Sequence, residues 1–281
     1  MAAKKPIVAI AYDFDGTLAP GNMQEREYIP GLGLDVKAFW GEVKDHAETH
    51  DMDEILAYME LMLFHAKAKR KPILRESFVS FGRGLELFPG VESWFDRVNA
   101  YGKDRGVAVE HYVISSGLRE MIEGTSIGER FDYIFASGFK YDQHDVAEWP
   151  ALAVNYTNKA QYLFRINKGI SNSWDNKQIN KPMPEAERRV PFENIVFIGD
   201  GETDIPAMKM TTYQGGTALA VYEKNARGAK RKAEELLDQD RADAAVVADY
   251  SEGSAIENAV RAIIDQAAAR HAFRKAVIHK G

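Results

Sequence analysis

Asp13 and Asp15 stand two residues apart at the end of an apolar run, Ile7–Tyr12 (IVAIAY), and Gly16 and Thr17 follow at once. In a regular strand such positions share a face, so both carboxylates would project to the same side. Two anions that close are costly unless a cation joins them or one keeps its proton. The five-residue pattern D-x-D-G-T arises by chance in roughly 0.3% of chains this long. Two further polar motifs end apolar runs. Ser115, Ser116 and Gly117 follow VEHYVI, and Asp200 and Asp204 lie in GDGETD after NIVFI. Taken alone, this second acidic pair would equally suit the N-terminus of a helix, where carboxylates are favoured.

The elements that must position these groups read as short buried strands alternating with helices. Strands are expected at Ile7–Tyr12, Val109–Ser115, Asp132–Ala136, Asn194–Gly199, Thr217–Val221 and Ala244–Val247. Helices are expected at about 91–102, 117–126, 159–168, 204–210, 225–238 and 254–272. That alternation predicts an α/β fold, a Rossmann-like three-layer α/β/α core with a mainly parallel sheet. Ligands of such sheets sit beyond the carboxyl ends of the strands, where all three motifs fall.

The stretch from about 21 to 88 differs. It carries helical patterns near 35–48 and 52–70, with Phe39, Trp40, Leu56, Met59, Leu63 and Phe64 as expected core residues, and no comparable buried strand. Gly21 and Phe88–Pro89–Gly90 punctuate its ends. The expected organisation is a core domain of 1–20 and 88–281 with a helical domain, 21–87, inserted after the first strand and hinged on the sheet. From 169 to 193 the chain turns polar and predicts an ordered loop with a short helix. The basic C-terminal HAFRKAVIHKG reads as a helix end or frayed tail.

The 281 residues carry 45% hydrophobic and 28% charged side chains, the balance of a globular protein with a sizeable core. A formal net charge of −6 gives no general nucleic-acid surface, so anions must be drawn in by local charge or metal. The absence of cysteine excludes disulfides, thiolate metal sites and a cysteine nucleophile, and suits a reducing cytoplasm. Lys4 and Lys5 before an apolar run superficially resemble a signal peptide. However, Asp13 and Asp15 interrupt the run before it reaches useful length, and no small-residue cleavage site follows. No apolar stretch approaches a membrane span, so a cytoplasmic protein is expected.

Asp13-x-Asp15-Gly16-Thr17, Ser115 at a strand end, Lys159 opening a helix, and Gly199-Asp200-x-x-x-Asp204 follow in that order. This order resembles the haloacid dehalogenase superfamily of phosphotransferases, whose motifs are a DxD, a strand-end Ser or Thr, a Lys and a second acidic pair. G-D-x-x-x-D alone would occur by chance in about 6% of such chains, but here it lies in the right place after the first motif. The resemblance covers roughly 5–20 and 88–250. The insert at 21–87 lies where the superfamily carries a type-1 cap, as in its phosphoserine-phosphatase-like branch.

The resemblance implies a role for each residue. Asp13 would be the nucleophile that becomes an aspartyl phosphate, and Asp15 the general acid and base. The second acid points to phosphate rather than carbon–halogen chemistry. A magnesium ion would be held by the Asp13 carboxylate, the Asp15 main-chain carbonyl and Asp200. Ser115 would hydrogen-bond a phosphoryl oxygen, with Ser116 as its direct rival, and Lys159 would supply positive charge, with Lys168 and Lys140 as competitors. Asp204 would hold Lys159 or a metal-bound water. Gly16 and Thr17 let the chain turn away after the acids, and Gly117 belongs to the serine turn.

The implied reaction is magnesium-dependent hydrolysis of a phosphate monoester, with a small phosphorylated metabolite as the partner. A phosphomutase of the same superfamily is the alternative, and a non-catalytic binding protein on this scaffold is a further one. Members of the phosphoserine branch carry a glutamate shortly after the first motif to hold the substrate's amine. The nearest counterparts here, Asn22 and Glu25, sit in an unlike context, so phosphoserine is not the expected substrate. Glu25, Arg26 and Arg83 flank the site as candidate specificity residues. His46, His50 and His65 lack a zinc-like arrangement, and the aromatic group Phe39, Trp40 and Phe64 reads as core.

Overall fold

The computed structural model describes residues 5–277. Lys4 and the last residues of the basic tail, 278–281, lie outside the described residues. Seven strands form one sheet: β1 (Ile7–Tyr12), β2 (Ala108–Leu118), β3 (Tyr133–Tyr141), β4 (Ala147–Leu152), β5 (Ile195–Gly199), β6 (Thr217–Tyr222) and β7 (Ala244–Val247). Their order is β4-β3-β2-β1-β5-β6-β7, parallel throughout except for β4, which pairs antiparallel with β3. Tyr12 stands opposite Val113 on one side and Ile198 on the other. The carboxyl ends of β1, β2 and β5 are therefore level, and the three polar motifs emerge side by side.

Both faces of the sheet are covered, as a parallel sheet requires. Alternate residues of β1 serve the two faces: Val8, Ile10 and Tyr12 enter one apolar cluster, Ala9 and Ala11 the other. In chain order the helices are α1 (Tyr28–Gly31), α2 (Val36–His50), α3 (Glu54–Ala68), α4 (Arg75–Arg83), α5 (Val91–Asp104), α6 (Arg119–Gly124), α7 (Lys159–Lys168), α8 (Asn176–Asn180), α9 (Ile205–Tyr213), α10 (Ala229–Asp238) and α11 (Ala255–Val277). The larger cluster takes Trp94 and Phe95 of α5 and Val260 and Ile264 of α11. The other takes Tyr162 and Leu163 of α7, Met208 of α9 and Leu236 of α10. The result is the expected three-layer α/β/α architecture. Among the described residues no helix is long and apolar enough to cross a membrane.

β4 was not foreseen. Its sequence, AEWPAL, contains Pro150 and is mostly exposed, so it reads as loop; the structure uses it as an antiparallel edge, where proline is tolerated. β2 continues through the Ser-Ser-Gly turn, so α6 starts at Arg119 rather than 117.

Residues 21–87 hold four helices, not two. α2 and α3 lie where expected, each opened by an aspartate: Asp35 accepts the amide of Ala38, and Asp53 those of Ile55 and Leu56. α1 and α4 lack the length or periodicity to show in the sequence. Phe39 and Met59 are buried and Trp40 and Leu63 partly so, but Leu56 (37% exposed) and Phe64 (60%) are not core residues. α3 is apolar around most of its circumference, and only the face bearing Ala57, Tyr58, Met59 and Met62 meets its neighbours.

α4 packs on α6 at backbone contact. A Cβ on Gly82 would overlap the Met121 carbonyl, and one on Gly124 the Val79 carbonyl. Main-chain bonds from Ala147 to Ile73 and from Arg75 to Asp145 tie the same region to the β3–β4 hairpin.

Candidate active site

The main chain keeps Asp13 in the ladder, its amide donating to the Ile198 carbonyl at 2.9 Å. Its carboxylate is then fixed from two directions. Oδ1 accepts the Phe14 amide at 2.7 Å, and Oδ2 lies 3.0 Å from Lys159 Nζ. The chain turns at Gly16, whose φ of +74° favours glycine. A Cβ there would also overlap the Asp200 carboxylate, so the same glycine makes room for the second acidic motif. Thr17 Oγ1 lies 3.4 Å from Asp200 Oδ1, toward which it donates.

Asp204 organises the loop after β5. Its Oδ2 accepts the amides of Asp200 (3.1 Å) and Gly201 (3.3 Å), and its Oδ1 accepts from Lys159 Nζ at 2.7 Å. Lys159, the first residue of α7, is fully buried and links Asp13, Asp204 and the Thr203 hydroxyl. Burial works against its charge, but Asp13 and Asp204 outweigh that and push its pKa up. Its two competitors are elsewhere. Lys168 donates to the carbonyls of Ile179 and Lys181 beside α8, and Lys140 pairs with Glu148 on the edge hairpin.

Ser115 and Ser116 both line the cleft. Ser115 Oγ accepts the Gly117 amide at 3.0 Å, which leaves its own hydrogen free to donate. Ser116 Oγ is buried without a hydrogen-bond partner, and its carbonyl accepts Tyr58 Oη at 2.7 Å. Gly117 brings the turn close to Asp15: a Cβ there would stand 3.1 Å from Asp15 Oδ2. Asp15 Oδ1 accepts the Met23 amide at 3.0 Å. Burial, then the charge of Asp13, hold the Asp15 carboxyl well above the usual range despite that bond.

Four carboxylates therefore converge on one lysine. One oxygen from each of Asp13, Asp200 and Asp204 lies within 4.8 Å of the others. Burial and then the charges of Asp204 and Asp13 raise the Asp200 pKa well above normal, and burial followed by Asp13 raises that of Asp204 to about 6. Asp13 and Asp200 line the cleft whereas Asp204 is fully buried, so the first two are the side chains a cation entering the cleft would meet. Their hard oxygen donors and the uncompensated charge fit a divalent metal ion.

The cleft above measures about 600 Å³. Residues of the helical segment close one side: Asn22, Gln24, Trp40, Val43, Ile55 and Tyr58. The sequence places Trp40 in the core and Glu25, Arg26 and Arg83 beside the site; Trp40 packs against the core cluster and also lines the cleft. Arg26, however, reaches the Pro20 carbonyl and Glu86, and Arg83 pairs with Glu76 on the exposed face of α4. Glu25 touches the cleft only through its neighbours, accepting Trp40 Nε1 and Asn22 Nδ2, each at 2.7 Å. The one sequence signal for this wall was the helical spacing of Trp40, Val43 and Lys44, which fixes a shared face but not its direction. A further side-chain bond ties the helical segment to the core, from Asn155 Nδ2 to Asp53 Oδ2 at 2.6 Å. His46 and His65 pair with Glu60 and Glu42 away from the site.

Several known proteins resemble this chain. An uncharacterized protein of Borreliella burgdorferi is 26% identical over 288 residues, covering 92% of this chain and 96% of its own. A probable phosphoserine phosphatase from Vibrio cholerae, in unliganded form, superposes with a TM-score of 0.55 at 18% identity, over 96% of this chain and 67% of its own. A phosphoserine phosphatase solved as a phospho-aspartyl intermediate analogue gives 0.53 at 18% identity, over 92% and 99%. A HAD family hydrolase from Salmonella enterica serovar Typhi gives 0.53 at 19% identity, over 81% of this chain, which spans 64% of that one. At these identities the structures share the fold. The family model for haloacid dehalogenase-like hydrolases matches residues 10–209, a span that contains all four motifs, and the chain belongs to that family.

Proposed function

We propose that this protein is a magnesium-dependent phosphatase that hydrolyses a phosphate monoester through an aspartyl phosphate on Asp13. The observation that carries the reading is the pairing of two unlike carboxyls at the end of β1. Asp13 is bound to a buried lysine, whereas Asp15, two residues on, has a strongly raised pKa. A lysine-paired carboxylate beside a carboxyl that burial keeps protonated supports Asp13 as nucleophile and Asp15 as acid.

An Asp13 oxygen attacks phosphorus as the bond from phosphorus to the leaving oxygen breaks, and the Asp15 carboxyl gives its proton to that oxygen. Asp15, now a carboxylate, takes a proton from the water that attacks the aspartyl phosphate. Inorganic phosphate and free Asp13 result. The Ser115 hydroxyl, which lines the cleft, and Lys159, which is paired with Asp13, would bind the phosphoryl oxygens, where negative charge must be balanced. Asp13, Asp200 and the Asp15 main-chain carbonyl would hold the magnesium ion, which supplies positive charge between nucleophile and phosphate. Asp204 keeps Lys159 charged and the Asp200 loop closed. We take 21–87 as a cap over a core of 1–20 and 88–281; its supply of one wall of the cleft supports that division.

The test is release of inorganic phosphate from a panel of phosphorylated metabolites. Release should require magnesium, stop with a chelator and return when magnesium is restored. Chelator-resistant release, or an isomerised ester in place of free phosphate, would overturn the assignment.

A further inference from the structure

The wall contributed by the helical segment bears on what the leaving group is. Trp40 lines the cleft half-buried, and its orientation is over-determined. Its indole N–H donates to Glu25, which Asn22 holds in turn. Phe39 and Tyr58 meet it edge-on, with ring centroids at 5.4 and 5.9 Å. Val43 and Ile55 extend the same surface with aliphatic groups. A cleft of about 600 Å³ has room for a whole metabolite-sized ligand, far more than a phosphate with a short chain needs. Away from the reacting aspartates the charged lining consists of Lys44, Glu54, Glu202 and Glu223, one cation against three carboxylates. A second anionic group on the substrate would face net repulsion there.

We infer that the substrate is a phosphate monoester whose alcohol carries a flat, largely apolar ring and no further negative charge, with Trp40 as the surface on which that ring packs. The inference rests on the phosphatase reading for the phosphate end, but the ring subsite stands on the wall's own geometry. A fixed aromatic face gains both apolar burial and ring–ring contact from a planar ligand, whereas a short chain gains neither.

Steady-state kinetics with 2-phenylethyl phosphate and ethyl phosphate, both primary-alcohol esters, isolate the ring from leaving-group reactivity. KM should be about tenfold lower for the phenylethyl ester, and 3-phosphoglycerate, with its second anion, should be poorer than ethyl phosphate. Trp40→Ala should collapse the ratio of the two KM values to about twofold, and Trp40→Phe should keep most of it. Equal KM values in the wild type, or an unchanged ratio in Trp40→Ala, overturn the inference. Calorimetry with 3-phenylpropylphosphonate against propylphosphonate, in the presence of magnesium, reads the ring without turnover. If no ester is hydrolysed but the phenyl analogue binds about tenfold tighter, the ring subsite stands and the phosphatase reading falls. Equal affinities for the two phosphonates overturn the subsite.

Discussion

At the sheet end of the cleft, Asp204 accepts three hydrogen bonds, Lys159 joins two carboxylates, and Asp13 is held by both main chain and side chain. On the helical side, Trp40 makes one side-chain hydrogen bond and is otherwise located by packing. The first region draws on β1, β2, β5 and α7 at once; the second draws mainly on α2 and α3. Groups that must meet a reacting atom are fixed by several independent elements, and those that meet the rest of a ligand rest on few. The chemistry is therefore the inflexible part of the molecule, and the side wall is where selectivity can change without disturbing the reaction.

That contrast can be broken first at Asp13. Asp13→Asn should lower kcat/KM for any phosphate ester by about 10⁴-fold or more while leaving the circular dichroism spectrum unchanged. Appreciable turnover by this variant would remove the nucleophile from the mechanism.

Lys159→Ala leaves Asp13 and Asp204 buried without their cation. It should cost about 3–5 kcal/mol in denaturant unfolding and abolish activity. Lys168→Ala only frees the loop after α8 and should leave activity within about threefold. The reverse ranking would relocate the phosphate-binding lysine.

His111 tests the scaffold under the first strand. It accepts Tyr12 Oη at Nδ1 (2.9 Å), meets Asn99 Oδ1 at Nε2 (3.1 Å), and burial pushes its pKa down to about 3. The unfolded chain would bind a proton below pH 6.5 that the folded protein refuses, so stability falls as pH drops. The raised carboxyls of Asp15, Asp200 and Asp204 act in the opposite sense, so the readout is the difference: between pH 7 and 5 the wild type should lose about 2 kcal/mol more than His111→Gln. An unchanged slope in that variant would assign the acid lability elsewhere.

Gly16→Ala should cost about 1–2 kcal/mol from its left-handed backbone alone. By displacing Asp200 it should also raise the magnesium concentration needed for half-maximal activity; an unaltered requirement would separate the turn from the metal site. The smallest effect belongs to the exposed face of α3, where Phe64→Ser should change stability by less than about 0.5 kcal/mol.

The two acidic motifs and the serine pair were legible as neighbours because each stands at the end of a buried strand, and such strands show as short apolar runs. Ser115 and Ser116 show the limit of that reading: both reach the cleft, and only the amide of Gly117 distinguishes them. Lys159 was separable from Lys168 only once the fold had turned one inward and the other toward α8. The helical segment was read less well. α3 is apolar on nearly all sides, so Phe64 resembled core, while Trp40, which packs against the core cluster, also lines the cleft. Helix pattern gives a face, but tertiary packing decides what that face meets.

The glycine contact between α4 and α6 limits how this molecule can move. With Gly82 and Gly124 letting the two backbones touch, and Leu74 bridged to Val146, α4 is carried by the sheet layer as one body. On the proposed division into cap and core, any opening of the cleft would come from α1–α3, whose Tyr28 also packs on Phe78 and Phe81 of α4. Across the gap, Tyr58 to the Ser116 carbonyl and Asn155 to Asp53 act as two latches, each worth about 1 kcal/mol. Neither bond involves Asp13, Asp15, Asp200 or Asp204, so parting both would leave the hydrogen bonds of those carboxylates intact.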